Sequence, residues 1–159
     1  MTDETEKRWE WESVEPGPRG EPFVAEVTPE SIAAYARRVR NNNSAYLESK
    51  PGDLAMPTAI FNEAPLRRNS VAEASGFVAL EWVKENPRQT PFAKCTARWF
   101  APIRAGDTLT STARVIEKYE RRGNKFVTFR VEAINQDGVK AAEYDYTCIF
   151  EYAQGQKPS

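Results

Sequence analysis

The segment "VRNNNSAYLESK", Val39 to Lys50, sets three asparagines, a serine and a tyrosine where a catalytic loop would carry an acid and a base. An amide side chain such as that of Asn41 donates and accepts hydrogen bonds but takes no proton near neutral pH. A phenol titrates near ~10 and is a poor base without strong perturbation. Such a loop is suited to binding polar groups rather than moving protons. Taken alone, "NNNS" reads as a helix terminus and turn, because asparagine tolerates left-handed backbone and caps helix ends. The chain contains no histidine. Ser-His-Asp, Cys-His and His-metal chemistry are thereby excluded. Any reaction falls to carboxylates, lysine, tyrosine or cysteine.

Two compact basic groups stand out in a chain of net charge -1: Arg67 with Arg68, and Arg121, Arg122 and Lys125 in "ERRGNK". Arginine forks bind phosphates well, which makes these five residues candidates for the phosphates of a nucleotide-bearing ligand. "ERRGNK" also reads as a hairpin tip kept soluble by charge. Arg37, Arg38 and Arg40 crowd a helix end, where cations suit the macrodipole. The balanced charge gives no field for nucleic acid, so the expected partner is a small molecule or a protein. The two cysteines, Cys95 and Cys148, are too few and too far apart for a disulfide framework. No apolar run approaches the ~20 residues of a membrane helix, and no apolar core follows "MTDETEKRWEWE" as in a secretory signal. A soluble, cytoplasmic protein is expected.

The elements that must position these residues are legible in part. Residues 1–20, charged and punctuated by "VEPGPRGEP", read as an arm whose Trp9 and Trp11 pack somewhere on the fold. "PFVAEV" reads as a short strand, and "TPES" opens a helix with Thr28 as N-cap and Pro29 at its first position. Ile32, Tyr35, Ala36 and Val39 fall at helical spacing on one apolar stripe. Between Ala55 and Glu85 the pattern predicts helical turns around 58–63 and a longer helix within 70–85, although "GFVALEWV" also suits a strand. Pro57 and Pro65 interrupt it.

The last 70 residues read as a meander of three or four long antiparallel strands. "FAKCTARWFAPI" is one. Leu109, Ser111, Ala113 and Val115 alternate against polar neighbours in the next, and Val127, Phe129, Val131 and Ala133 share a face in the third. "NQDG" signals a hairpin into a strand with Ala142, Tyr144, Tyr146, Cys148, Phe150 and Tyr152 on one side. That aromatic row suits core or subunit interface before a ligand cage. The pattern predicts an α+β domain over residues 21–153 with a tail at 154–159; a long curved antiparallel sheet wrapped around a helix, the hot-dog arrangement, is one α+β option among several.

"VTPESIAAYARRVRNNNSAYL", "AMPT" and "FAPIRAGDTLTSTARVIEKYERRGNKFVTFRVEAINQDGVKAAE" together resemble the MaoC-like hydratases and dehydratases, in the form labelled MaoC dehydratase N-terminal or fatty-acid-synthase-like dehydratase domain. The resemblance runs from about Val14 to Phe150. It implies a single hot-dog fold and a coenzyme A thioester as substrate, with no further cofactor. Active members add water to trans-2-enoyl thioesters, giving (R)-3-hydroxyacyl products, or run the reverse. They carry Asp-any-Asn-Pro-any-His on the loop after this helix. A carboxylate and an imidazole so spaced hold one water between them for attack at the β-carbon while a proton is delivered to the α-carbon. Donors aimed at the thioester oxygen stabilise the developing enolate.

On this sequence the Asp position is held by Asn41 and the His position by Tyr46; Asn43 matches, and Ser44 stands where the proline would be. The resemblance therefore implies a degenerate site in which Asn41, Asn43, Tyr46 and Thr58 contact the acyl thioester and no catalytic dyad survives. Arg67, Arg68, Arg121, Arg122 and Lys125 become candidates for the coenzyme A phosphates. The implied role is the non-catalytic subunit of a heteromeric enoyl-CoA hydratase acting in fatty-acid or steroid degradation, paired with a MaoC-like partner that carries the intact dyad. Three alternatives stay open: a homo-oligomeric hydratase or dehydratase, a hot-dog thioesterase using a carboxylate, and an acyl-CoA binding module.

Overall fold

The computed structural model describes residues 5–155. Five strands, β1 (Phe23–Glu26), β2 (Phe92–Trp99), β3 (Thr108–Arg121), β4 (Asn124–Ile134) and β5 (Lys140–Glu151), form one antiparallel sheet in the order β1-β3-β4-β5-β2. The alternating residues of the sequence make its inner face. Leu109, Val115, Val127 and Phe129 are fully buried, and Ser111, Ala113, Val131, Ala133, Ala142, Tyr144, Cys148 and Phe150 nearly so. The turn between β3 and β4 places Arg122 (φ 52°) and Gly123 (φ 81°) in left-handed backbone while Arg121 pairs with Asn124. Two positive φ values make the tight hairpin turn whose twist matches the strands. At the other end of β4, Asn135 Oδ1 accepts from the Asp137 and Val139 amides and closes the "NQDG" loop.

The helices are short. Helix α1 (Pro29–Arg38) starts with a full capping box, in which Thr28 Oγ1 accepts from the Ser31 amide and Ser31 Oγ from the Thr28 amide. Ile32 and Ala36 lie on its buried side, as the spacing predicts, but Val39 does not. The helix ends at Arg38, and Val39 is its exposed C-cap. Helix α2 is Ser44–Leu47 and α3 is Ile60–Glu63, the latter extending a single 3₁₀ turn at Pro57–Ala59. Helix α4 spans only Arg68–Ala74.

The longer helix predicted within 70–85 is therefore wrong, and the reason is Gly76. At φ +86° it lets the Phe77 amide reach Ala72 O and its own amide reach Glu73 O, the paired bonds that close a helix end. "GFVALEWV" beyond it is irregular chain, touching a strand partner only through the bridge of Val78 to Arg8. Ile60, Ala64, Val71 and Ala72 nevertheless join Leu109, Val127, Phe129 and Tyr144 in one core cluster, so the sheet closes around α3 and α4 in the hot-dog manner. No helix of the described residues is long and apolar enough to cross a membrane.

Residues 5–20 of the arm lie along this core. Trp9 is buried between Phe129 and Phe150, Trp11 Nε1 donates to Phe126 O, and the Gly17 and Gly20 amides bond to Val115 O and Ala113 O. A Cβ on Gly20 would stand 3.0 Å from Ser70 Oγ and 3.1 Å from the Val71 amide, so the arm approaches α4 more closely than other residues allow. The first four residues of the arm and all but two of the tail at 154–159 lie outside the described residues.

The outer face of the sheet carries a grid of ion pairs. Arg130 grips Asp145 with two parallel bonds of 2.8 and 2.9 Å, and Arg98, Glu143, Lys140 and Glu132 extend the grid. The Arg130 fork holds the Asp145 carboxyl below its ordinary 3.8. A carboxyl whose folded pKa is depressed adds stability above its unfolded pKa and loses it as pH falls through the folded one. Asp145→Asn should thus lower stability at pH 7 and flatten the loss below pH 3.8. Urea titrations across pH 2–7 give parallel curves for the two proteins if this pairing is inert.

Candidate functional site

The Asn-rich loop begins where α1 is forced to stop. Arg40 takes left-handed backbone (φ 58°), its amide bonding to Arg37 O and that of Asn41 to Ala36 O. A non-glycine residue there is strained by about 1 kcal/mol. The asparagines themselves are not the left-handed residues. Asn41 Oδ1 accepts from the Asn43 amide at 3.0 Å, and Asn43 Oδ1 accepts from the Ala45 amide at 2.9 Å, N-capping α2. Asn41 Nδ2 turns the other way, to 3.6 Å from Met56 Sδ. Asn43 is exposed, its amide oxygen spent on the cap.

Helix α2 then presents Tyr46, half-buried, to a cavity of about 410 Å³. Tyr46, Leu54 and Pro57 form one side of it; Trp99, Phe100 and Ile103, at and beyond the end of β2, form the other. Trp99 Nε1 donates to Pro57 O at 3.1 Å and ties the two sides together. Asn41 and Tyr46 are thus both directed at the 54–57 segment. Thr58 faces elsewhere: its Oγ1 accepts from the Tyr35 hydroxyl of α1.

A second, smaller cavity of about 160 Å³ lies farther along the chain, between Phe61 and Leu66 on one side and Tyr144 and Tyr146 of β5 on the other, with Arg68 at its wall. Tyr144 Oη donates to Ala64 O at 2.6 Å, and burial pushes its phenol well above the ordinary range. Burial likewise raises both thiols, Cys148 and the half-buried Cys95, so neither is a thiolate at neutral pH. One carboxyl, Glu63 of α3, is raised by burial with no cation opposing the shift.

The basic residues singled out in the sequence do not converge. Arg67 lies over the Phe23 ring at 5.8 Å on the β1 side, while Arg68 from the same turn faces β5. Arg121 and Arg122 are exposed at the β3–β4 tip, and Lys125 is paired with Glu12 and Glu151. Trp99 pairs with Ala142 and Ala142 with Ala133, so the tip lies at the far end of β4, roughly 25 Å from the larger cavity. Sequence reasoning missed Leu54, Pro57, Trp99 and Phe100 as a wall. The available signal was two adjacent aromatics closing a strand just before "API".

Residues 16–144 match the family described as FAS1-like, dehydratase domain region, and the chain belongs to that family. No curated protein sequence matches it. Among solved structures, the monoamine oxidase regulatory protein from Archaeoglobus fulgius is similar at 18% identity and a TM-score of 0.68, over 91% of this chain and 95% of that one. The R-hydratase PhaJ1 from Pseudomonas aeruginosa is 16% identical with a TM-score of 0.59, over 94% and 95%. The ChsH1–ChsH2 complex from Mycobacterium tuberculosis is 13% identical with a TM-score of 0.61, over 87% and 86%. These likenesses establish the shared hot-dog fold.

Proposed function

We propose that the chain is the acyl-thioester-binding, non-catalytic subunit of an enoyl-CoA hydratase, completed by a second hot-dog chain. The observation that carries this reading is the orientation of the degenerate loop. Asn41 and Tyr46, at the positions where active family members hold acid and base, are directed toward the wall of a largely apolar cavity but bring no proton acceptor to it. A thioester binds there without reacting. Coenzyme A enters as part of the substrate, and no separate cofactor is called for.

The β2 edge supports a partner. Its eight residues pair with β5 on one side only, and Phe92, Trp99 and Phe100 are 55%, 41% and 56% exposed around it. An apolar, unpaired edge of this length invites another strand. Structures of this fold include two complexes, HadBC and ChsH1–ChsH2 of Mycobacterium tuberculosis. A second copy or a dyad-bearing chain would extend the sheet and cap the cavity beside Trp99. Splitting catalysis from binding in this way suits large acyl groups, including steroid side chains.

The test uses the purified chain. It should sediment as a dimer at micromolar concentration, bind saturated acyl-CoA by calorimetry, and hydrate crotonyl-CoA no faster than buffer. Absence of acyl-CoA binding sinks the proposal. Glu63 favours a second reading, a hot-dog thioesterase or hydratase using a carboxylate, because it is half-buried and burial raises its carboxyl above the ordinary range. Turnover that Glu63→Gln abolishes would establish that reading instead.

A further inference from the structure

We infer that Arg68 is a recognition site for a carboxylate at the far end of the acyl group, so that the chain prefers ω-carboxyacyl thioesters over neutral ones. This rests on the proposed thioester-binding role and names the substrate class within it. The smaller cavity is walled by the aromatic rings of Phe61, Tyr144 and Tyr146 and by Leu66, and Arg68 is its charged residue. A neutral acyl tail needs no cation, and a half-buried cation set among rings needs a reason.

The guanidinium is held in place and left largely unsatisfied. Its Nε donates to Cys148 Sγ at 3.4 Å, and it lies 5.4 Å from the centroid of the Tyr146 ring. Glu81 is the carboxylate near it, but at 4.0 Å from Nη1 it is beyond hydrogen-bond reach. Glu81 Oε1 is instead committed to the Thr90 amide and hydroxyl. Among the described residues, no carboxylate is hydrogen-bonded to Arg68. The outer edge of the fork, two parallel N–H donors, is the pattern that binds a carboxylate in two places at once. The Tyr146 ring and Cys148 Sγ hold the guanidinium at this wall before a ligand arrives.

Position makes the carboxylate the distal end of an acyl chain. Both cavities border the stretch from Pro57 to Leu66, the larger at Pro57 and the smaller at Phe61 and Leu66. On the sheet side the larger is bounded by Trp99 of β2, and the smaller by Tyr144 and Tyr146, which pair with Ala97 and Cys95. Along one strand those positions lie ~7 to ~13 Å from Trp99. For a thioester seated beside Tyr46, Arg68 therefore lies within the reach of a medium-length acyl chain. The smaller space holds about five water-sized groups, enough for a carboxylate and one or two methylenes.

The experiment compares calorimetric binding of three probes to the purified chain: octanoyl-CoA, an ω-carboxyoctanoyl-CoA of matched length, and coenzyme A alone. The carboxylated thioester should bind roughly 10- to 100-fold tighter than the neutral one, the range of a hydrogen-bonded charge pair. Arg68→Met should erase that preference, bringing the ratio of the two thioester affinities to about one. Equal binding of the two thioesters by the unaltered chain overturns the assignment while the thioester-binding role stands, and needs no variant to fold. Loss of coenzyme A binding in Arg68→Met by the same factor as the carboxylated probe overturns it too, since the anion would then be a phosphate. If no thioester binds, both readings fall.

Discussion

Asn41→Asp combined with Ser44→Pro and Tyr46→His is expected to give the isolated chain measurable hydration of trans-2-enoyl-CoA, roughly 100- to 10,000-fold above the uncatalysed rate. Each change fits its site. An aspartate at 41 keeps the oxygen that accepts from the Asn43 amide and replaces the Nδ2 that now faces the Met56 sulfur with a second oxygen. Proline at 44 occupies the first helical position of α2, where its missing amide leaves nothing unsatisfied. Asn43 before it already has the extended backbone that a following proline demands, at φ -66° and ψ 121°. Imidazole in place of the phenol at 46 leaves space in the cavity for the water. Asn41→Asp alone and Tyr46→His alone should stay at background, because each supplies half of the proton relay. Background rates from the folded triple variant, with acyl-CoA binding intact, would show that the loop has lost the geometry of a hydratase and not only its side chains.

Much of the frame behind that prediction is local in origin and therefore readable in sequence. Alternation in β3, β4 and β5 and the capping signal "TPES" act within a few residues, and the faces they predict are the faces buried. Tertiary closeness is what escaped. Gly76 ends α4 through a backbone conformation, yet the apolar run after it invited a longer helix. The loop shows the same division. Taken alone its asparagines read as left-handed caps, but the strain falls on Arg40 and the amides serve as internal acceptors. The cavity wall joins residues 46, 57 and 99, which no spacing rule connects. Arg67 and Arg68 look alike in sequence, and a single step along the chain sends one toward β1 and the other toward β5.

The arm is where sequence hinted and packing decides the magnitude, and Trp9→Ala is expected to destabilise the fold by about 3–5 kcal/mol. Trp9 is 1% exposed, its ring 6.0 Å from Phe129 and 5.9 Å from Phe150, so truncation leaves a void between two strands and the arm. Its amide also bonds to Val78 O, which anchors the irregular stretch after α4, so loosening the arm frees that stretch as well. For a domain of this size the loss corresponds to a fall of roughly 6–20 °C in Tm, a large part of a usual stability of ~5–15 kcal/mol. Trp9→Phe should cost far less, since it keeps most of the apolar volume and removes an indole N–H that has no partner where it is buried. Trp82, 68% exposed on the same irregular stretch, is the contrast: Trp82→Ala should stay within about 0.5 kcal/mol. Urea midpoints for the three variants measure the difference. If Trp9→Ala shifts the midpoint no further than Trp82→Ala, the arm is an appendage to the sheet and its tryptophan is not part of what holds α3 and α4 inside it.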